Sequence, residues 1–373
     1  MIATLSGILV SLAIVVVLVM VSLFAVKWYQ HRRNKGKAFR SAIYISTLGE
    51  IVSRSVLPSI DIEKWADDPA FRQTLVDFLR FVDGGERRLL VELAQQLGLI
   101  DRFHREVGAK SVKVRLRAVA ALSEIASPTS RPHLKRALAD SAAEVRVGAA
   151  AGLSLIGNTE DVPDVVRALE TEGNWGAERI GDSLVRFAAA AVQPLSNQVL
   201  LAGPDLMPIP KHLAIIVRSL GLIGDRSAEA ALLTALEGED PLLRIKAAAA
   251  LAHPWQGRAT RALIRRLRDD DWRVRAQAAK ALAAHEDPNA LGDLRRALRD
   301  RAWWVRQDAA EAMAAIPGGI DALFDALGDE DPFAVDAALA QLMAAGELER
   351  LEDPAHKKAI EGLHRPHLIE GAG

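Results

Sequence analysis

Residues 274–282, VRAQAAKAL, decide how this chain reads. Val274, Ala278 and Leu282 stand four apart and share one face of a helix, and the alanines between them let a neighbouring backbone come close. The same nine-residue pattern reads VRLRAVAAL at 114–122, VRVGAAAGL at 145–153, LRIKAAAAL at 243–251 and VRQDAAEAM at 305–313. Its closing residues keep a fixed step: Leu122 and Leu153 are 31 apart, and Leu220, Leu251, Leu282 and Met313 follow one another at 31. A constant period of this size marks an array of stacked supersecondary units.

Each unit reads outward from that pattern as two helices. After 274–282 comes the turn His285-Glu286-Asp287, in which Asp287 suits an N-cap and Pro288 a first helical position. Leu291, Leu294 and Leu298 then give 288–299 the apolar stripe of a second helix, and acidic turns such as Asp269-Asp270-Asp271 or Asp300 restart the cycle. Neither helix can bury its stripe alone, so the units must stack. Only 5% of residues are aromatic, so alanine and leucine supply the core, as closely packed helices require. The expected fold is all-α, an α-solenoid of helix pairs. The chain has no cysteine, which excludes disulfides, thiolate zinc sites and a cysteine nucleophile. A formal net charge of −1 sets no global field for nucleic acid.

The Val-Arg pairs at 114–115, 145–146, 274–275 and 305–306, each leading into an alanine-rich stretch closed by Leu or Met, resemble the HEAT-like repeats of the bacterial phycobilin-lyase type. Asp140, Asp240, Asp271 and Asp300 are the acidic residues before the arginines. The resemblance covers about 105–345. It implies that Arg115, Arg146, Arg244, Arg275 and Arg306 hydrogen-bond the turn aspartates between repeats. It implies a scaffold, since such repeats serve many unrelated roles.

The N-terminus reads differently. Residues 2–26 carry no charge, and Leu5 to Val26 as a helix spans about 33 Å, a match to the hydrocarbon layer. No positive residue precedes the run, and Phe24-Ala25-Val26-Lys27 is a poor cleavage site, which favours an uncleaved anchor over a signal peptide. Lys27, Arg32, Arg33, Lys35, Lys37 and Arg40 follow before any acid appears, so positive residues stay inside and the C-terminal part is expected in the cytoplasm. Lys27, Trp28, Tyr29, Arg32 and Arg33 are the expected membrane-interface residues. The expected organisation is a transmembrane helix over 1–27, a basic segment over 28–40, a helical cap over 41–104, the HEAT-like array over 105–345 and a C-terminal cap and tail over 346–373. Within the first cap, 71–81 (FRQTLVDFLRF) and 87–97 (RRLLVELAQQL) read as amphipathic helices.

The period breaks once. Leu153 to Leu220 is 67 residues where two periods take 62, and LVRFAAAAVQPL at 184–195 reads as the degenerate unit between them. Trp175, between glycines in GNWGAERIGD at 173–182, is the most exposed-looking aromatic. A partner contact, a bend and a decayed repeat all remain open there.

Residues 258–306 hold twelve arginines and Lys280 against seven acids, with Trp272, Trp303 and Trp304 interleaved. Arg261, Arg265, Arg268, Arg295, Arg296 and Arg299 read as free charge on the second helices of adjacent units, a candidate partner-binding face together with Trp175. Trp272 and Trp303, at one repeat position, are expected to pack at the turn between units. His356, His364 and His367 have no helical spacing that would hold a metal. No residue set points to catalysis or to a cofactor. The expected function is a non-enzymatic, single-pass scaffold of a bacterial inner membrane, with its N-terminus outside and its cytoplasmic array binding a membrane-associated protein. Anchored repeat proteins of this sort resemble accessory subunits of membrane complexes, such as a cell-envelope polysaccharide synthase with its glycosyltransferase. The alternatives are an enzyme or pigment-handling protein like the phycobilin lyases, and a nucleic-acid-binding HEAT-like protein. The neutral net charge and the expected anchor speak against the last.

Overall fold

The structure is a computed structural model, which describes residues 40–53, 62–206, 208–253 and 257–352. The expected membrane span, the interface residues Lys27, Trp28, Tyr29, Arg32 and Arg33, and the three C-terminal histidines lie outside the described residues. Among the described residues no helix is long and apolar enough to cross a membrane. The described secondary structure is helical throughout, with no strand. The chain divides into two compact lobes, Met1–Ala137 and Leu138–Gly373.

In the N-terminal lobe the sequence-predicted helices occur as Pro69–Leu79 and Gly84–Gln96. The first starts where it does because Asp68 accepts a hydrogen bond from the Ala70 amide at 2.8 Å and Pro69 needs no intrahelical partner. Phe71, Leu75 and Leu79 fill its buried face, but Phe81 lies past the helix end and is 85% exposed. The helical residues 40–53 are tied to this start, because the Tyr44 hydroxyl donates to Asp68 at 2.9 Å and its ring packs against Trp65 and Phe71. The first repeat pair follows as Val112–Ile125 and Arg131–Ala137.

The C-terminal lobe is a run of helix pairs. Its first helices are Ala143–Ile156, Asn174–Arg186, Lys211–Ile223, Pro241–Ala250, Trp272–Ala283, Trp303–Ala315 and Pro332–Ala344. Their partners include Val162–Glu170, Ala189–Ala202, Glu229–Leu236, Arg258–Arg266, Leu291–Ala297 and Gly319–Ala326. The expected stripe is the buried one. Val274, Ala278 and Leu282 have no exposed surface, and neither do the closing residues Leu153, Leu220, Leu251 and Met313. Several second helices start through a single 3-10 turn. Asn158, Asp225 and Asp287 each accept the amide two residues on, at 2.9–3.0 Å. The helix expected over 288–299 is therefore a 3-10 turn, Pro288–Ala290, followed by Leu291–Ala297.

The irregular unit departs from its sequence reading. Its first helix is Asn174–Arg186, not 184–195, and its closing residue is Leu184, fully buried and 31 after Leu153. The Val185-Arg186 pair falls nine residues too late and imitates the motif without occupying its place. The period therefore holds through Leu184, and the five extra residues enter before Leu220. They fit the longer second helix, Ala189–Ala202, which has Pro194 inside it. Ala188, in the short link before it, has φ 49° and ψ −134°, a conformation suited to glycine.

Candidate functional site

The motif arginine is first a structural device. Sitting one turn into the first helix, it reaches back to the carbonyls of the preceding turn. Arg275 Nη1 donates to the Asp269 and Asp270 carbonyls at 2.8 and 3.2 Å. Arg244 does the same to Gly238 and Glu239, and Arg115 to Ala109 and Lys110. The other edge of the guanidinium reaches forward to the next repeat: Arg244 to Asp269 at 2.8 Å, Arg275 to Asp300, and Arg146 to Glu172. The resemblance implied bonds from these arginines to turn aspartates between repeats: Arg244 and Arg275 make them, Arg146 meets Glu172 in place of an aspartate, and Arg306 reaches the Asp300 and Arg301 carbonyls of its own turn. Arg72 donates to the Ala66 and Asp67 carbonyls, so the device also occurs in the segment expected as a cap off the repeat. Alanine 177 and Leu213 stand at the corresponding places of the irregular unit and its successor, which therefore lack it.

Burial would push the Asp300 carboxyl up. The hydrogen bonds from Arg275 and from the Ala302 amide outweigh it and hold the group below the usual carboxylate range. The Arg273 side chain, joined by its own amide and charge, holds Asp271 at about 2 despite burial.

Five of the six arginines expected as free charge have partners. Arg265 meets Glu237 at 3.1 Å and Arg268 meets Asp293 at 3.2 Å. Arg296 also pairs with Asp293, Arg295 donates to the Asp325 carbonyl at 3.1 Å, and Arg299 holds Asp329 at 2.8 Å. Apart from the pair Arg296–Asp293, these contacts link one repeat to the next. Arg268 and Arg299 also sit in the turns beyond their helices rather than on them. Among the described residues Arg261 alone of the six is exposed without such a partner. Sequence reading missed Glu237, Asp293 and Asp329 because each lies on a different repeat from an arginine it serves.

Trp175 is exposed, at 59%, in the second position of its helix. Trp272 and Trp303 do not pack away at the turn. They are 42% and 54% exposed at the first position of their helices, and Trp303 sits edge-on to Trp304 with ring centroids 4.6 Å apart. The N-cap geometry explains this, because a first-turn residue points out of the repeat end before the buried stripe begins. Phe333 occupies the equivalent turn of the last full first helix, and the Arg306 guanidinium lies 4.7 Å from its ring centre.

Two histidine arrangements serve packing. His285 Nε2 donates to the Leu251 carbonyl at 2.6 Å, which leaves Nδ1 to accept from Thr260 Oγ1 at 2.9 Å. His104 and His133 stack with ring centres 4.0 Å apart, and burial lowers the pKa of both. Among the described residues no group of three or more His, Asp or Glu is placed to hold a metal.

Residues 99–184 and 260–344 match the family model of HEAT repeats. A comparison with curated proteins finds no match. Among solved structures, a mutant of Kap121p is similar at 13% identity and a TM-score of 0.51, over 80% of this chain and 40% of that one. Kap95p, in a structure of its binding to RanGDP, is similar at 13% identity and a TM-score of 0.51, over 83% of this chain and 53% of that one. The complex of CpcE and CpcF of phycocyanin lyase from Nostoc sp. is similar at 18% identity and a TM-score of 0.32, over 66% of this chain and 94% of that one. At these identities the likeness to Kap121p and Kap95p is one of fold. The period, the paired helices and the arginine ties identify an all-helical α-solenoid among the described residues, and its stretches 99–184 and 260–344 match HEAT repeats.

Proposed function

We propose that this protein is a membrane-anchored, non-catalytic scaffold whose HEAT-repeat array binds a protein partner at the cytoplasmic face of a bacterial inner membrane. One observation carries the binding half of this reading. Polar side chains of the array are consumed in structural ties such as Arg244–Asp269 and Arg275–Asp300, while bulky apolar ones, Trp175, Trp303, Trp304 and Phe333, stay exposed. Chemistry needs poised polar groups converging in a cleft, whereas a protein interface needs exposed aromatic anchors on a rigid support. The uncharged run over 2–26 and the six cations that follow it support the anchor and its orientation. Tethering would raise the effective concentration of the array beside other membrane proteins. An accessory subunit of an envelope polysaccharide synthase is one role of this kind.

The test is purification of the full chain from detergent-solubilised membranes. A stoichiometric membrane-protein partner is the expected result. Release of the chain by gentle lysis without detergent would remove the anchor. A bound pigment in the absorbance spectrum, or a salt-dependent shift of duplex DNA, would move the reading to a lyase-like or nucleic-acid-binding protein.

A further inference from the structure

The near-zero net charge of the chain hides a division between its lobes. Met1–Ala137 carries 21 lysines and arginines against 12 aspartates and glutamates, whereas Leu138–Gly373 carries 26 against 36. The positive surplus thus belongs to the lobe that holds the uncharged run over 2–26. It does not come from the basic segment 27–40 alone. Residues 102–136 hold nine lysines and arginines and only two acids, Glu106 and Glu124. Both acids are answered, Glu106 by Arg102 at 3.1 Å and Glu124 by Arg80 at 2.8 Å. Lys110, Lys113 and Arg117 are exposed and have no carboxylate partner among the described residues.

The exposed side of helix Val112–Ile125 sets these cations beside apolar groups. Val112 and Leu116 form one column of the helix surface and Lys113 and Arg117 the next, and all four are exposed. Arg117 also lines a groove of about 1020 Å³ together with Arg40, Ile45, Phe78 and Phe81. Asp68 and Asp77 are the acids of that groove, and Arg40 and Arg80 hold them at 3.2 and 3.5 Å. An apolar strip beside uncompensated cations suits an anionic lipid surface. The apolar side chains and the lysine and arginine stems enter the headgroup boundary while the charged heads meet phosphates. The place along the chain fits as well. Val26 ends the uncharged run 14 positions before Arg40, so Arg40 lies within about 50 Å of the end of that run even on a fully extended chain.

We propose that the face formed by Val112, Lys113, Leu116 and Arg117, with Ile45 and Phe81 at the groove beside it, rests on the anionic lipid surface of the membrane that holds the N-terminal run. This contact rests on the anchored reading above and adds a second point of attachment to it. The anchor supplies proximity, the unpaired cations supply attraction, and the apolar strip supplies depth. The acidic balance of Leu138–Gly373 gives that lobe no such attraction to the same surface.

The chain has no cysteine, so Leu116→Cys takes a single environment-sensitive fluorophore. The labelled full chain is reconstituted into vesicles of phosphatidylcholine alone and of phosphatidylcholine with phosphatidylglycerol. The expected result is a blue-shifted emission, quenched by brominated acyl chains, in the mixed vesicles only, and its loss at high salt. Each charge near an anionic surface contributes about fivefold to binding, so Lys113→Gln with Arg117→Gln should lower the ratio of docked to free lobe about 25-fold. Both side chains are exposed, so the circular dichroism of that variant should match the parent. The same fluorophore at Leu201→Cys, a position 85% exposed in the other lobe, should report water throughout. An equal response in the neutral vesicles, no response at Leu116→Cys, an equal response at Leu201→Cys, or an unchanged response in the glutamine variant would each overturn the proposal. So would a response produced by duplex DNA and not by anionic lipid. Flotation of the vesicles after an alkaline wash separates this contact from the anchor. A chain that stays with the vesicles while its Leu116→Cys label reports water would sink the contact alone. A chain that washes off would sink the anchor and the contact together.

Discussion

Arg275 and Asp300, 25 positions apart, meet through two parallel hydrogen bonds, Nε to Oδ2 at 2.6 Å and Nη2 to Oδ1 at 2.8 Å. Arg275 simultaneously holds the turn carbonyls of Asp269 and Asp270, and Asp300 accepts from the Ala302 amide at the start of the next first helix. One guanidinium thus fixes its own turn and the beginning of the following repeat. Both side chains are nearly buried, so removing one leaves the other without its ion partner. Asp300→Ala is expected to cost about 3 kcal/mol. Urea unfolding should show that loss, and a midpoint unchanged from the parent would show the pair to be dispensable.

The same carboxylates set the behaviour in acid. Asp300 and Asp329 are held below the ordinary carboxylate range by Arg275 and Arg299 against the opposing effect of burial, and Asp271 lies at about 2. A depressed folded-state pKa contributes stability that is complete above the unfolded value, near 3.9, and is lost as pH falls through the folded value. Thermal stability should therefore drop as pH is lowered from about 4 towards about 2. Asp300→Asn should flatten part of that drop, and an identical acid profile in that variant would exclude Asp300 as a contributor.

Ala126 ends its helix with φ 51° and ψ 35°, where Gly157 and Gly224 end the corresponding helices. A left-handed residue at a helix end costs little for glycine and more for alanine. Ala126→Gly and Ala188→Gly are each expected to stabilise by about 1 kcal/mol. Denaturant midpoints check this directly, and a lower midpoint in either variant would contradict the backbone geometry at that site.

A Cβ at Gly221 would lie 2.5 Å from the Ala250 Cβ, because helices Lys211–Ile223 and Pro241–Ala250 touch there. Gly221→Val should force those helices apart and destabilise by roughly 1–3 kcal/mol. Hydrogen exchange is the sharper readout, since the loosening should centre on these two repeats. Uniform protection equal to the parent would refute the close approach.

Charge reversal separates the arginines. Arg299→Glu sets a carboxylate against the nearly buried Asp329 and should lower the melting temperature, whereas Arg261→Glu should leave it unchanged. Equal melts for the two variants would mean that the link from Arg299 to Asp329 carries no stability.

Much of this was legible in residues close together. Val274, Ala278 and Leu282 announce one helix and its buried face, and Asp287-Pro288 announces the start of the next. Leu184 could have been found too, since it lies one period after Leu153, but the nearby Val185-Arg186 imitates the motif more closely than Gly176-Ala177 fills it. The exposure of Phe333 had a signal in Asp331-Pro332-Phe333, where a cap and a first-position proline place a large ring in an exposed first turn. The fate of Arg265, Arg268 and Arg299 had none, because their acids lie 25 to 30 positions away.

The amino-acid order by itself determined the period, the paired helices and the residues that close each pair. These follow from helical periodicity and turn chemistry, which act over a few residues. The tertiary structure alone decided which arginines are consumed by neighbouring carboxylates and where two first helices, such as Lys211–Ile223 and Pro241–Ala250, come into close approach. Those outcomes depend on how one repeat lies against the next, and side chains of several angstroms' reach meet or miss according to that placement rather than to their spacing along the chain.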